Sequence, residues 1–272
     1  MHNIGWFSTG RDKAARQLLQ VVHKSIQDGG IDGKILFVFS SRKPGESTES
    51  DRFFQLVNSY NLPLVCLSSK EYAIGQPKSA PEKEGVLPRW RLEYDREVMR
   101  KLERFTPQLC MLAGYMLIVG EEMCHKYTMI NLHPAKPGGP KGSWQEVIWE
   151  LIDNNARETG VMMHLVTPEL DRGPVIAYCT YSIRGKPFDK HWAEIGNSSI
   201  TELKQKPGET SRLFRLIRQH GLAREFPLIV STLAASSHGE INIKDGRVFD
   251  NHGKQIDGYD LTDRIDKMMG TK

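Results

Sequence analysis

Residues 34–40 read Lys-Ile-Leu-Phe-Val-Phe-Ser, a compact apolar run. Its length and its aromatic and β-branched content fit a strand covered on both faces. The same rhythm continues on either side of it. Residues 3–7 read as a strand, and residues 13–27 carry Leu18, Leu19, Val21 and Val22 at helical spacing until Gly29 and Gly30 stop the helix. Downstream, residues 52–60 suit a helix and residues 62–67 a third strand. Residues 90–105 suit a long charged helix with Leu92, Val98, Met99 and Leu102 inward, followed by strands at 109–113 and 129–132. Strands alternating with helices predict an α/β fold, a mostly parallel sheet with helices on both faces. Ligands of such sheets bind beyond the carboxyl ends of the strands, so chemistry is expected there.

The later chain changes rhythm. Residues 143–153 read as a helix, 160–166 and 175–183 as strands around a loop, and 212–235 as a helix interrupted near Gly221 and Pro227. Residues 240–243 and 247–250 flank Lys244-Asp245-Gly246, which predicts a small C-terminal β-hairpin. Residues 69–88 and 186–211, rich in Lys, Glu, Pro and Gly, read as inserted surface loops, with a lid over the site as the alternative.

Two segments carry candidate chemistry. In Met-Ile-Asn-Leu-His-Pro, residues 129–134, Asn131 and His133 share one face of a strand end, and Pro134, lacking a donor, ends the ladder. Residues 160–177, GVMMHLVTPELDRGPVIA, lead a strand bearing His164 into a loop whose Pro and Gly fix the backbone around Asp171. Taken singly, each segment is equally compatible with a structural role.

Together they change the reading. With the opening stretch FSTGRDKAARQLL, the stretch EYDREVMRKLERFTPQLCMLAGYMLIV and the later REFPLIVSTL, the chain resembles the formyltransferase family over most of its length. Within that family it is most similar to the branch that formylates glycinamide ribonucleotide in purine synthesis. The resemblance implies a Rossmann-like catalytic domain over residues 1–239, with residues 240–272 a hairpin and tail packed on it. It implies transfer of a formyl group from 10-formyltetrahydrofolate, as co-substrate and without a metal, onto an amine. Asn131, His133 and Asp171 would be the catalytic residues: the amide and a protonated imidazole stabilise a tetrahedral oxyanion, and the carboxylate accepts the amine proton. It places the pterin against Met116, Leu117, Ile118 and Val119 and against Val166, Thr167, Glu169 and Leu170. The acceptor would lie at Gly10, Arg11, Asp12 and Lys13, with Gly114 and Pro134 alongside.

The departures from the family cluster at the acceptor. The family's small polar residues after the first strand are here Arg11, Asp12 and Lys13, and the Glu that grips ribose hydroxyls falls at or near Leu222, with Glu225 as a substitute only if the helix register shifts. The Ser-Leu-Leu-Pro usual after the catalytic His is replaced by residues 135–142, AKPGGPKG. The whole-chain resemblance makes glycinamide ribonucleotide the first acceptor, while these departures favour another amine (an amino sugar or amino acid), with hydrolysis of the formyl folate as a further alternative.

Bulk properties agree with small-molecule work. The 272 residues carry a formal charge of +4, with 39% apolar and 26% charged side chains, enough to build a core. There is no arginine-rich tract, so nucleic acid is not an expected partner. The expected partners are the folate and an amine, in a monomer or homodimer. Cys66, Cys110, Cys124 and Cys179 form no Cys-x-x-Cys pair and read as free thiols, and no basic-then-apolar leader or long apolar run is found. A soluble, cytoplasmic protein is expected.

Overall fold

The structure, a computed structural model, describes residues 1–74, 87–169, 171–196, 200–205 and 208–270. The chain opens with β1 (His2–Ser8), α1 (Lys13–Gln27), β2 (Gly33–Ser40), α2 (Thr48–Ser59), β3 (Leu64–Cys66), α3 (Ser69–Ile74) and α4 (Arg89–Lys101). It continues with β4 (Leu109–Leu112), α5 (Glu121–Lys126), β5 (Met129–His133), α6 (Trp144–Asp153), β6 (Glu158–Leu165) and β7 (Val175–Ser182). Then come α7 (Asp189–Ile195), α8 (Ile200–Gln205), α9 (Arg212–Ser237), β8 (Ile241–Lys244), β9 (Arg247–Asp250), β10 (Tyr259–Asp260) and α10 (Thr262–Met269).

Among the described residues the main sheet orders its strands β10-β7-β6-β5-β4-β1-β2-β3. β1 through β5 are mutually parallel, while β6 runs antiparallel to both β5 and β7. The parallel strands are buried on both faces, as the apolar runs predict. In β1, Trp6 packs with Leu19 of α1, Phe53 of α2 and Leu233 of α9 on one face. Its neighbour Phe7 packs on the other face with Phe37, Phe39 and Tyr94, beside α4 and α5. This is the period-2 alternation of a strand applied to a two-sided core.

Local signals explain the element ends. Asp12 caps α1 by accepting from the Ala15 amide, and Gly29, at φ +76°, lies just past its end. Ser143 and Glu146 form a reciprocal capping box at the start of α6. Asp245 and Gly246, both at positive φ, turn the β8–β9 hairpin. Ile241 and Val248 of that hairpin, with Leu261 and Ile265 further on, join the same apolar layer as Trp6.

Two expectations are corrected. Residues 69–74 form α3, and much of 186–211 is helical, in α7 and α8; residues 75–86, 197–199 and 206–207 lie outside the described residues. Phe188 and Leu203 are buried with Trp149 and Phe214, so this segment is packed structure, and its Lys and Gly content concealed the anchoring apolar residues. The second correction is α9, which runs unbroken across Gly221 and Pro227. Burial of Leu228 and Ile229 immediately beyond the proline outweighs the backbone hydrogen bond it removes. No helix among the described residues is long and apolar enough to cross a membrane.

Candidate active site

β1 has β2 on one side and β4 on the other, so the connections beyond these strands leave in opposite directions and open a crevice at their carboxyl ends. The loops after β1 and β4 are tied across it: the Thr9 amide donates to the Gly114 carbonyl at 3.1 Å, and the Met116 amide donates to Thr9 Oγ1 at 3.1 Å. Gly114 turns the second loop at φ +69°.

β5 carries Asn131 and His133 two residues apart at its carboxyl end, on one face of the strand; Asn131 lines the two cavities of this crevice, whereas His133 lines neither. His133 is buried, and its Nε2 donates to the Pro140 carbonyl at 2.9 Å; a carbonyl only accepts, so that nitrogen carries the hydrogen. Its Nδ1 lies 3.9 Å from Asp171 Oδ2, beyond direct hydrogen bonding. Asp171 sits in the β6–β7 loop at φ +53°, a left-handed conformation uncommon outside glycine.

A fourth side chain joins them. His164 of β6 pairs directly opposite Asn131 across the antiparallel ladder. Its Nδ1 donates to the Leu165 carbonyl at 3.1 Å, which leaves Nε2 facing Asp171 Oδ1 at 3.5 Å. That approach lies within ion-pair range, but with the hydrogen on Nδ1 the Nε2 atom has none to donate to a carboxylate, and it is buried without a hydrogen-bond partner. Burial pushes the His164 pKa down, opposed by the Leu165 carbonyl and the Asp171 carboxylate and assisted by His133. The neutral ring therefore aims a lone pair at a carboxylate, an arrangement suited to an N–H or O–H donor held between the two.

Two cavities meet here. The smaller, about 160 Å³, is lined by Leu112, Tyr115, Asn131, His164 and Asp171, together with six of the eight residues expected at the pterin, Met116, Leu117, Ile118, Val119, Val166 and Thr167. Glu169 does not line it: its side chain is exposed, 3.9 Å from Arg172, and only its carbonyl turns back, accepting from Thr167 Oγ1. Leu170 lies outside the described residues. Arg91 and Asp95, both buried in α4, brace the wall of this cavity. The Arg91 guanidinium donates to Asp95 at 3.0 Å and to the Ile118 carbonyl at 2.6 Å, and Asp95 accepts from the Gly120 amide at 2.8 Å.

The larger cavity, about 360 Å³, is lined by Arg11, Asp12, Gly114 and Pro134, as expected, and by Asn131 again. Gly10 does not line it: φ +63° makes it a turn residue, and a Cβ there would meet the Phe53 ring at 2.8 Å. Lys13 falls instead in an outer groove with Arg16 and Arg52, because the first turn of α1 rotates it away. Leu222 is 45% exposed, and the carboxylate that α9 contributes to the cavity is Glu225, with Arg218 and Trp144 beside it. Arg218, not singled out in the sequence, lies seven residues before Glu225, two turns along one face of α9, and that spacing is the signal that could have paired them.

Fold and site together define an α/β protein with two cavities that share one amide, Asn131, at a sheet crevice. The chain belongs to the formyl transferase family, whose profile matches residues 13–185. It is 34% identical over 85 residues to the phosphoribosylglycinamide formyltransferase of Escherichia coli, covering 30% of this chain and 39% of that protein. To the Schizosaccharomyces pombe protein of the same name it is 33% identical over 94 residues, covering 32% of this chain and 45% of that one. The matched stretches thus span less than half the length of these relatives. The fold matches the Coxiella burnetii phosphoribosylglycinamide formyltransferase structure with a TM-score of 0.65 at 21% identity, covering 95% of this chain and 98% of that one.

Proposed function

We propose that the protein transfers a formyl group from 10-formyltetrahydrofolate to a primary amine, with the folate in the smaller cavity and the amine in the larger. The observation that carries this is Asn131, which lines both cavities and so stands where donor and acceptor meet. The amine nitrogen attacks the formyl carbon, making a C–N bond and an oxyanion. The Asn131 amide donates to that oxyanion. The nitrogen then loses a proton to Asp171, whose Oδ1 and Oδ2 face His164 and His133. Collapse breaks the bond from the formyl carbon to the folate nitrogen, which takes up a proton relayed from the Asp171–His133 pair. Loop amides and the apolar sides of Tyr115 and Val166 suit a flat heterocycle in the smaller cavity.

The relatives' names make glycinamide ribonucleotide the acceptor to assay first. The test mixes protein, 10-formyl-5,8-dideazafolate and glycinamide ribonucleotide, follows the deformylated folate by absorbance, and includes a control without amine. Amine-dependent release supports the transferase; equal release without amine overturns it in favour of hydrolysis. A second acceptor, a different amine, is favoured by one feature: the Asp12 carboxylate occupies the α1 N-terminus within the acceptor cavity.

A further inference from the structure

If formyl transfer is the reaction, the larger cavity holds the acceptor, and its charges restrict what that acceptor carries. Anions bind helix N-termini through unpaired amides and the positive end of the helix dipole. The α1 N-terminus opens on this cavity through Arg11, Asp12, Ala14 and Ala15. The chain itself takes the anion position. Asp12 Oδ1 accepts from the Ala15 amide at 2.9 Å, and Oδ2 lies 3.5 Å from Arg11 Nε. A phosphate arriving there meets a carboxylate of its own sign, with Arg11 already paired.

The opposite wall is also internally balanced. Arg218 Nη1 lies 2.8 Å from Glu225 Oε1, and its guanidinium stacks 4.5 Å from the Trp144 ring centroid. Among the described lining residues both cations, Arg11 and Arg218, are thus paired. The cavity offers a dianion no unpaired cation. It does offer the acceptor capacity of Glu225, whose second oxygen has no role in the Arg218 contact, and an apolar floor from Pro134, Phe226 and Ile229. A carboxylate beside an apolar floor suits hydroxyl groups on a carbon ring.

We infer that the acceptor is a primary amine on a neutral, hydroxyl-bearing scaffold, with Glu225 accepting from its hydroxyls and Asp12 excluding phosphate. This rests on the formyl-transfer reading for its placement of the amine, but its test is a binding measurement. Glycinamide riboside and glycinamide ribonucleotide differ in the phosphate alone. Each is titrated by calorimetry into the full-length protein loaded with the dideazafolate. The riboside is expected to bind at least as tightly as the ribonucleotide. Asp12→Asn keeps a helix-capping side chain while removing the charge, and is expected to shift the affinity ratio about tenfold toward the ribonucleotide. Glu225→Gln is expected to weaken the riboside about tenfold. Tenfold tighter ribonucleotide binding by the unaltered protein, no shift of the ratio in Asp12→Asn, or no binding of the riboside would each overturn the inference. Preference for the riboside with no formyl release to any amine would instead leave the binding inference standing and sink the transferase.

Discussion

Gly173 presses its backbone against Leu165: a Cβ at position 173 would lie 1.7 Å from the Leu165 carbonyl oxygen. No flexible side chain can yield there, because the obstacle is the backbone of β6. The contact closes the loop that carries Asp171, two residues earlier. Gly173→Ala must push that loop outward, and a displacement of about 1 Å at a reacting group costs on the order of a hundredfold in rate. We expect kcat to fall by about that factor while circular dichroism stays native. A variant with full rate would show that Asp171 is not held by this contact.

Asn131 carries the proposed oxyanion contact. Removing one such donor typically costs about 10²–10³ in kcat. Asn131→Ala is therefore expected to lose that much while the Tm stays close to that of the unaltered protein, since the residue is only partly buried at the crevice. A wild-type rate would remove Asn131 from the chemistry.

His164 gives a pH signature. Its pKa is lowered in the folded protein, chiefly by burial, so at mildly acidic pH the unfolded chain binds the proton more readily. Stability from the neutral ring is present above the unfolded value of about 6.5 and is lost as pH falls from there toward the folded value. Urea midpoints measured from pH 7.5 to 5 should fall more steeply for the unaltered protein than for His164→Gln. Parallel curves would show that the ring is not held neutral.

The Arg91–Asp95 pair links stability to donor binding. Both side chains are at most 5% exposed. Asp95→Ala leaves a buried guanidinium unpaired, which costs about 3–5 kcal/mol. It also frees the Gly120 amide and loosens the Ile118 carbonyl at the wall of the smaller cavity. Denaturant unfolding should show the loss, and the donor KM should rise more than kcat falls, with Asp95→Asn intermediate. Unchanged donor KM would confine the pair to a structural role.

What the sequence revealed, and what it hid, follows from the range of the interactions. The buried strands were legible because apolar runs such as residues 34–40 are local signals. Asn131 and His133 were legible because two residues on one strand share a face whatever lies around them. Glu225 was misjudged because its cavity is made by α9 crossing residues more than a hundred positions earlier, and only that crossing decides which turn of the helix faces in. Lys13 failed for the same reason on a smaller scale: one residue beyond Asp12, the helix turns its side chain away. α7 and α8 were hidden because a few anchors such as Phe188 and Leu203 sit in an otherwise polar stretch.

The pairing of Asn131 with His164 across β5 and β6 has a consequence for folding as well as for chemistry. A slip of one residue on β6 would swap the places of Met163 and His164. The thioether would enter the crevice, and the imidazole would enter the apolar layer where Met163 packs near Leu132. An imidazole there would lack a polar partner, so the misaligned sheet is penalised by the very residue it would misplace. The reactive cluster thus doubles as a proofreader of its own strand alignment.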